Sequence, residues 1–179
     1  PLATEWIVSG PFRDGRGDAH PHLNARFNIR SHGVLVRTDA IVENTWTYVP
    51  DPQGYTYDAM IRSGSTIAYQ RNEIAHADHA RWHKVVWYGQ APEVKLTHDT
   101  DLIIASGAVP NYDRTITISE NRLSAMANDH VPMTNGDISA SMGNAGAQYG
   151  IGPLPGWTAA FLISQDSRAR ANVLYNGDA

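Results

Sequence analysis

The stretch Leu23-Asn-Ala-Arg-Phe-Asn-Ile-Arg-Ser-His-Gly-Val-Leu-Val-Arg-Thr-Asp-Ala-Ile-Val42 decides the fold class. Leu23, Ala25, Phe27 and Ile29 alternate with Asn24, Arg26, Asn28 and Arg30, the period of a half-buried strand. Gly33 interrupts the run, and Val34, Val36, Thr38, Ala40 and Val42 set up a second strand of the same kind. Working outward, Tyr55, Tyr57, Ala59 and Ile61 alternate up to the turn Ser63-Gly-Ser65, and Thr66 to Ile74 returns as a β-hairpin. His76 to Tyr88 reads as one long strand, followed by a turn at Gly89 to Pro92 and a short strand over Val94 to His98. Six or more short strands with Gly/Pro turns predict a mainly β fold, an antiparallel sandwich or barrel over residues 1–98.

Beyond His98 the pattern changes. Asp99 suits the N-cap of a short helix over the residues that follow it. Residues 107–152 are rich in Gly, Asn, Ser and Pro and lack periodicity, so 99–152 reads as a short helix and a long irregular segment. Residues 153–179 read as a helical hairpin with its turn at Ser164 to Ser167 and a stop at Gly177. Trp157, Ala160, Phe161 and Ile163 give that hairpin an apolar face wider than two helices cover alone. The expected cover is the β domain, another copy, or helices beyond this chain; the chain itself reads as a piece of something longer.

Composition narrows the function. Fourteen Lys and Arg against 18 Asp and Glu leave a net charge of −4, with no basic stripe to neutralise phosphates, which excludes non-specific nucleic-acid binding. Without cysteine there are no disulfides, thiolate metal sites or Cys nucleophiles. No apolar run is long enough to span a bilayer. Arg16-Gly-Asp18 is ordinary turn composition.

The densest chemistry lies in His76-Ala-Asp-His-Ala-Arg-Trp-His-Lys-Val-Val-Trp-Tyr88. On one continuous strand, His79, Arg81 and His83 would share a face. A base beside a cation suits proton abstraction next to a uronate carboxylate, so these are the candidate catalytic residues. The competing reading is a polar ladder paired across strands. Trp46, Tyr48, Trp82, Trp87, Tyr88 and Tyr112 are the candidate sugar-stacking residues. His20 and His22 are a weak alternative as metal ligands, since an extended His-Pro-His places both rings on one side. Glu43 and Asp58 are the carboxylates that a glycosidase pair would need. No cofactor is expected.

The motifs Ala19-His-Pro-His-Leu23, Val42-Glu-Asn-Thr-Trp46, Thr56-Tyr-Asp58, His79-Ala-Arg-Trp-His83, Val109-Pro-Asn-Tyr-Asp113 and Gly150-Ile-Gly-Pro-Leu-Pro155 occur in series. In this order the chain resembles the amino-terminal β region of large uncharacterised bacterial and phage-borne proteins. Those are distantly similar to exo-rhamnogalacturonan-lyase-like proteins, in which a β domain precedes an (α/α) toroid. The resemblance implies a carbohydrate-associated β module of a larger exported or phage-encoded protein, with polysaccharide as partner and the hairpin as the toroid's first helix pair. The alternative is a structural or assembly protein, a virion or cell-surface subunit, that uses the same aromatics to pack against itself.

Overall fold

The computed structural model describes residues 3–44, 48, 50–93, 97–127, 130–138 and 154–178. Six antiparallel strands and four short helices follow in chain order, with 41% strand against 21% helix, so the fold is mainly β. Among the described residues the strands form two sheets and no closed barrel. The chain divides into two compact units, residues 1–92 and 93–179.

The amino-terminal unit holds all six strands: β1 (Thr4–Arg13), β2 (Ala19–His32), β3 (Leu35–Asn44), β4 (Tyr55–Ser63), β5 (Thr66–His76) and β6 (Arg81–Tyr88). Four of them build one sheet in the order β1-β2-β3-β6, and β4 pairs with β5 in a second. Gly10 lies opposite Ala25, Ala25 opposite Val42, and Val42 opposite Trp82, so one row of side chains crosses the larger sheet. The same face buries Leu23, Ala40, Val42 and Trp82, which is why the period-two alternation of β2 and β3 exists. Ile74 and His76 of the hairpin are buried as well. Gly33, at φ +60, supplies the left-handed residue of the tight turn between β2 and β3.

Two sequence expectations change here. His76 to Tyr88 is not one strand: β5 ends at His76, the chain turns at Asp78 and His79, and β6 begins at Arg81. His79 occupies the left-handed region at φ +56, far from the extended backbone of a regular strand. Within the stretch expected to form a strand over Val94 to His98, residues 94–96 lie outside the described residues, and Thr97 and His98 are not strand.

The carboxy-terminal unit carries α1 (Thr100–Ala105), α2 (Glu120–Ala125), α3 (Gly156–Ser164) and α4 (Ser167–Asp178). Asp99 caps α1 as expected, its side chain accepting from the Leu102 amide at 3.0 Å. Ser119 does the same for α2, a helix the composition of its surroundings hid. Gln165 closes α3 in a left-handed conformation, and Ser164 Oγ accepts from the Asp166 amide in the turn. Gly177 does not stop α4, which runs on through it. Leu123, Met126, Ala160 and Ala169 form the core, with Ile118, Trp157 and Phe161 packed against them. Part of the hairpin's apolar face is therefore covered by α2 from within the same unit. Among the described residues no helix is long and apolar enough to cross a membrane.

Candidate functional site

The expected set of His79, Arg81 and His83 does not share one strand face. Arg81 and His83 do, on the outer side of the larger sheet, whereas His79 sits in the preceding turn with Nδ1 3.0 Å from Asp78 Oδ2. His83 Nε2 lies 3.4 Å from Asp39 Oδ1, and Arg37 reaches the same carboxylate oxygen at 2.7 Å. Arg81 stands directly opposite Glu43, and toward the other end of the sheet Glu5 binds Arg30 at 2.9 Å, with Arg37 on the far side of Arg30. This face is a polar sheet surface on which Arg81, His83 and Arg30 each have an acidic neighbour on the adjoining strand, although Arg30 and Arg37 also oppose each other.

Alternation also divides the aromatics. Trp82 is only 2% exposed on the inner face and belongs to the core, so it offers no surface for stacking. Trp87 is half-buried on the outer face, while Tyr88 and Tyr48 are exposed. Trp46 lies outside the described residues. Tyr112 lines a shallow apolar hollow of about 200 Å³ with Val109, Pro110, Leu154, Leu162 and Ile163.

Trp82 instead starts a directed hydrogen-bond chain. Its indole N–H donates to Tyr57 Oη at 2.7 Å, and Tyr57 Oη lies 2.7 Å from His76 Nδ1. His76 Nε2 is 2.9 Å from the Ala80 carbonyl, which can only accept. Nε2 therefore carries the proton, Nδ1 accepts from the Tyr57 hydroxyl, and every polar atom of the chain is matched. Burial pushes the His76 imidazole below its ordinary range, against the pull of the Ala80 bond. Burial also raises the Tyr57 hydroxyl, with the Trp82 bond opposing it. Beside this chain, Asn44 donates to the carbonyls of Gln53 and Ala77 at 2.9 and 3.0 Å.

His20 and His22 are neighbours, with ring centroids 6.3 Å apart, and three of their four ring nitrogens are committed inside the fold. His20 Nδ1 accepts from the amides of His22 and Leu23. His22 Nδ1 lies 2.5 Å from Tyr55 Oη, and its Nε2 faces the Pro50 carbonyl at 3.1 Å. A metal held by both rings would have to break a bond of His22 first. No group of three or more metal-ligating side chains forms among the described residues. Asp58 is likewise occupied: its Oδ1 accepts from the Glu73 amide at 2.9 Å, where β5 carries an irregularity and Glu73 a positive φ.

The concave polar site lies in the carboxy-terminal unit. A cavity of about 280 Å³ is lined by Arg122, Ala125, Met126, Asp137, Trp157 and Asn172. Asp137 is held in place by amides: its Oδ2 accepts from Asn172 and Asn176 Nδ2, each at 2.9 Å, with His130 Nε2 3.4 Å away. Its own backbone N–H donates to Asn176 Oδ1 at 2.8 Å. Burial would raise the Asp137 carboxyl, but the bonds from Asn176 and Asn172 and the nearby His130 outweigh it and hold the group low. Gly136 makes this approach possible. It sits at φ +53, and a Cβ there would fall 2.6 Å from Asn176 Oδ1. Arg122 is tied to the start of α3 by its bond to the Gly156 carbonyl at 3.3 Å, beside Trp157.

The result is a fixed carboxylate with Oδ1 left unbonded among the described residues, a guanidinium, a buried amide and an indole around one cavity. Sequence reading assigned Trp157 to the hairpin's apolar face and passed over Arg122, Asp137 and Asn172. They come from separate short segments, and no spacing rule connects them. No family model, curated protein or solved structure matches this chain.

Proposed function

We propose that the chain is a carbohydrate-associated binding module that holds one sugar ring in the cavity lined by Trp157, Arg122, Asp137 and Asn172. The observation that carries this reading is the pairing of a locked acceptor, Asp137, with a guanidinium donor, Arg122, beside an aromatic wall. A hydroxyl both donates and accepts, so it suits such a pair; a simple cation meets Arg122 and a simple anion meets Asp137. The indole offers an apolar face to ring C–H groups. At about 280 Å³ the cavity falls just below the usual span of ligand pockets, roughly 300–1,000 Å³. One ring fits better than a long chain.

Binding is better supported than catalysis. A carboxylate whose proton affinity is lowered by two amides is a weak general base. The lyase chemistry implied by the family resemblance would draw on Arg81 and His83, which share a face, without His79 on it.

Calorimetric titration of the full chain with methyl glycosides of neutral sugars and with galacturonic acid tests the reading. Binding of at least one neutral glycoside is expected, weakened tenfold or more by Asp137→Asn, which turns Oδ1 into a donor. Heat from none of them, or binding that Asp137→Asn leaves intact in a folded protein, would sink it.

A further inference from the structure

We propose that β1 is a self-pairing edge, through which two copies of this chain join their larger sheets across a two-fold axis. All ten residues of β1 are exposed, on both faces, although the strand pairs with β2 from Thr4 to Pro11 and, past an irregularity, again at Arg13. Its side chains include Trp6, Ile7, Val8 and Phe12, which are 51%, 60%, 56% and 40% exposed. An edge strand that is long, apolar and open is a template for another strand, and charges along it commonly limit such pairing. Here the two charged residues of the strand, Glu5 and Arg13, stand at opposite ends and have opposite signs.

Symmetry decides the register. Two antiparallel copies of one strand related by a two-fold axis normal to the sheet must place one residue opposite itself. Centring on Ser9 sets Val8 opposite Gly10, Ile7 opposite Pro11, Trp6 opposite Phe12 and Glu5 opposite Arg13. This is the centring that joins the two charges as ion pairs at both ends and makes two aromatic cross-strand pairs. Centring on Val8 would oppose Glu5 to Pro11, and centring on Gly10 would oppose Ile7 to Arg13. Pro11 has no N–H to offer, and alternate residues of the strand direct their backbone groups away from β2 toward the open edge. The axis also keeps the inner faces together, so that Trp6, Val8 and Phe12 of both copies extend the apolar face that carries Phe27 and Ile29. The surface lies in the amino-terminal unit and does not depend on the sugar reading.

The natural absence of cysteine makes the register directly readable. Opposite residues in an antiparallel pair have Cα atoms roughly 4.5–5.5 Å apart, inside the roughly 4.4–6.8 Å range of a disulfide. Ser9→Cys should therefore give a covalent dimer under mild oxidation. Ile7→Cys, which faces Pro11 and lies about 13 Å from its own copy at roughly 3.4 Å per residue, should not. Light scattering of the unmodified chain should give twice the chain mass, and Val8→Lys should return it to one while the strand signal in circular dichroism stays unchanged. A wild-type monomer at every concentration, equal cross-linking of both cysteine variants, or a dimer that survives Val8→Lys would overturn the proposal.

Discussion

The two units are held together by different physics. The amino-terminal unit buries polar side chains: His22, Asn44 and His76 are as inaccessible as Leu23 and Ile74. His22 and His76 are tolerated because both ring nitrogens of each are hydrogen-bonded, and Asn44 because its amide donates to two carbonyls; the chain from Trp82 through Tyr57 and His76 to Ala80 links the two sheets. The carboxy-terminal unit has a small apolar core of Leu123, Met126, Ala160 and Ala169 with a single buried polar residue, Asn172, among the described ones, and carries an ion-pair network closer to its surface. Arg168 there bridges Glu120 and Asp166 with charge-assisted bonds at 2.5 and 2.9 Å. A buried network fixes one arrangement and is intolerant of losing a member. An exposed ion-pair network is screened by water and adds little stability.

The sharpest way to break this comparison is Trp82→Ala. It removes a large buried side chain and leaves the Tyr57 oxygen without its donor, so a loss of about 3–5 kcal/mol is expected in urea unfolding followed on the strand signal. A loss below about 1 kcal/mol would mean that Trp82 is not a core residue. Tyr57→Phe comes next. It strands the Trp82 N–H and His76 Nδ1 together and should cost about 1–3 kcal/mol. Glu120→Gln, which removes one arm of the exposed network, should shift the unfolding midpoint far less; equal shifts would erase the distinction between the units.

Acid gives the smallest and most specific effect. The folded-state pKa of His76 lies below its unfolded value of 6.5, so between those values the unfolded chain binds a proton that the folded chain does not. Stability should therefore fall as pH drops below about 6.5 and be unaffected above it. Burial lowers His20 as well, so His76→Gln should make the acid limb shallower rather than abolish it. Asp166 acts in a lower window. The Arg168 side chain lowers its carboxyl from 3.8 to about 2, so its contribution is complete above 3.8 and is lost as pH falls toward 2. Melting curves at stepped pH that show no change between 7 and 5 would contradict the buried, neutral state of His76.

Much of the fold was legible in the chain, and the failures have physical reasons. β2 and β3 could be read because one face of each is buried and the other is polar. β1 could not, since neither of its faces is buried and Gly10 and Pro11 interrupt any alternation. α2 escaped because six residues within a Gly- and Asn-rich stretch carry almost no periodicity. His79 looked like a strand residue because the surrounding composition is β-like, yet it sits at φ +56 in the turn over Asp78 and His79 that separates β5 from β6. Of the candidate sites, Arg81 and His83 were correctly placed together by the period of two. The same period separates Trp82 from Trp87, although both were grouped by their nearness in sequence.

Sequence by itself determined the alternation, the hairpin between β4 and β5, the cap at Asp99 and the helical pair near the end, because each depends on residues close together in the chain. Only the tertiary structure decided which aromatic is core, which carboxylate is locked and which strand is left open. Asp137 becomes a fixed acceptor through amides on α4, and Trp82 becomes a core donor through a tyrosine on another sheet. Those roles come from contacts between distant segments, and local periodicity carries no record of them.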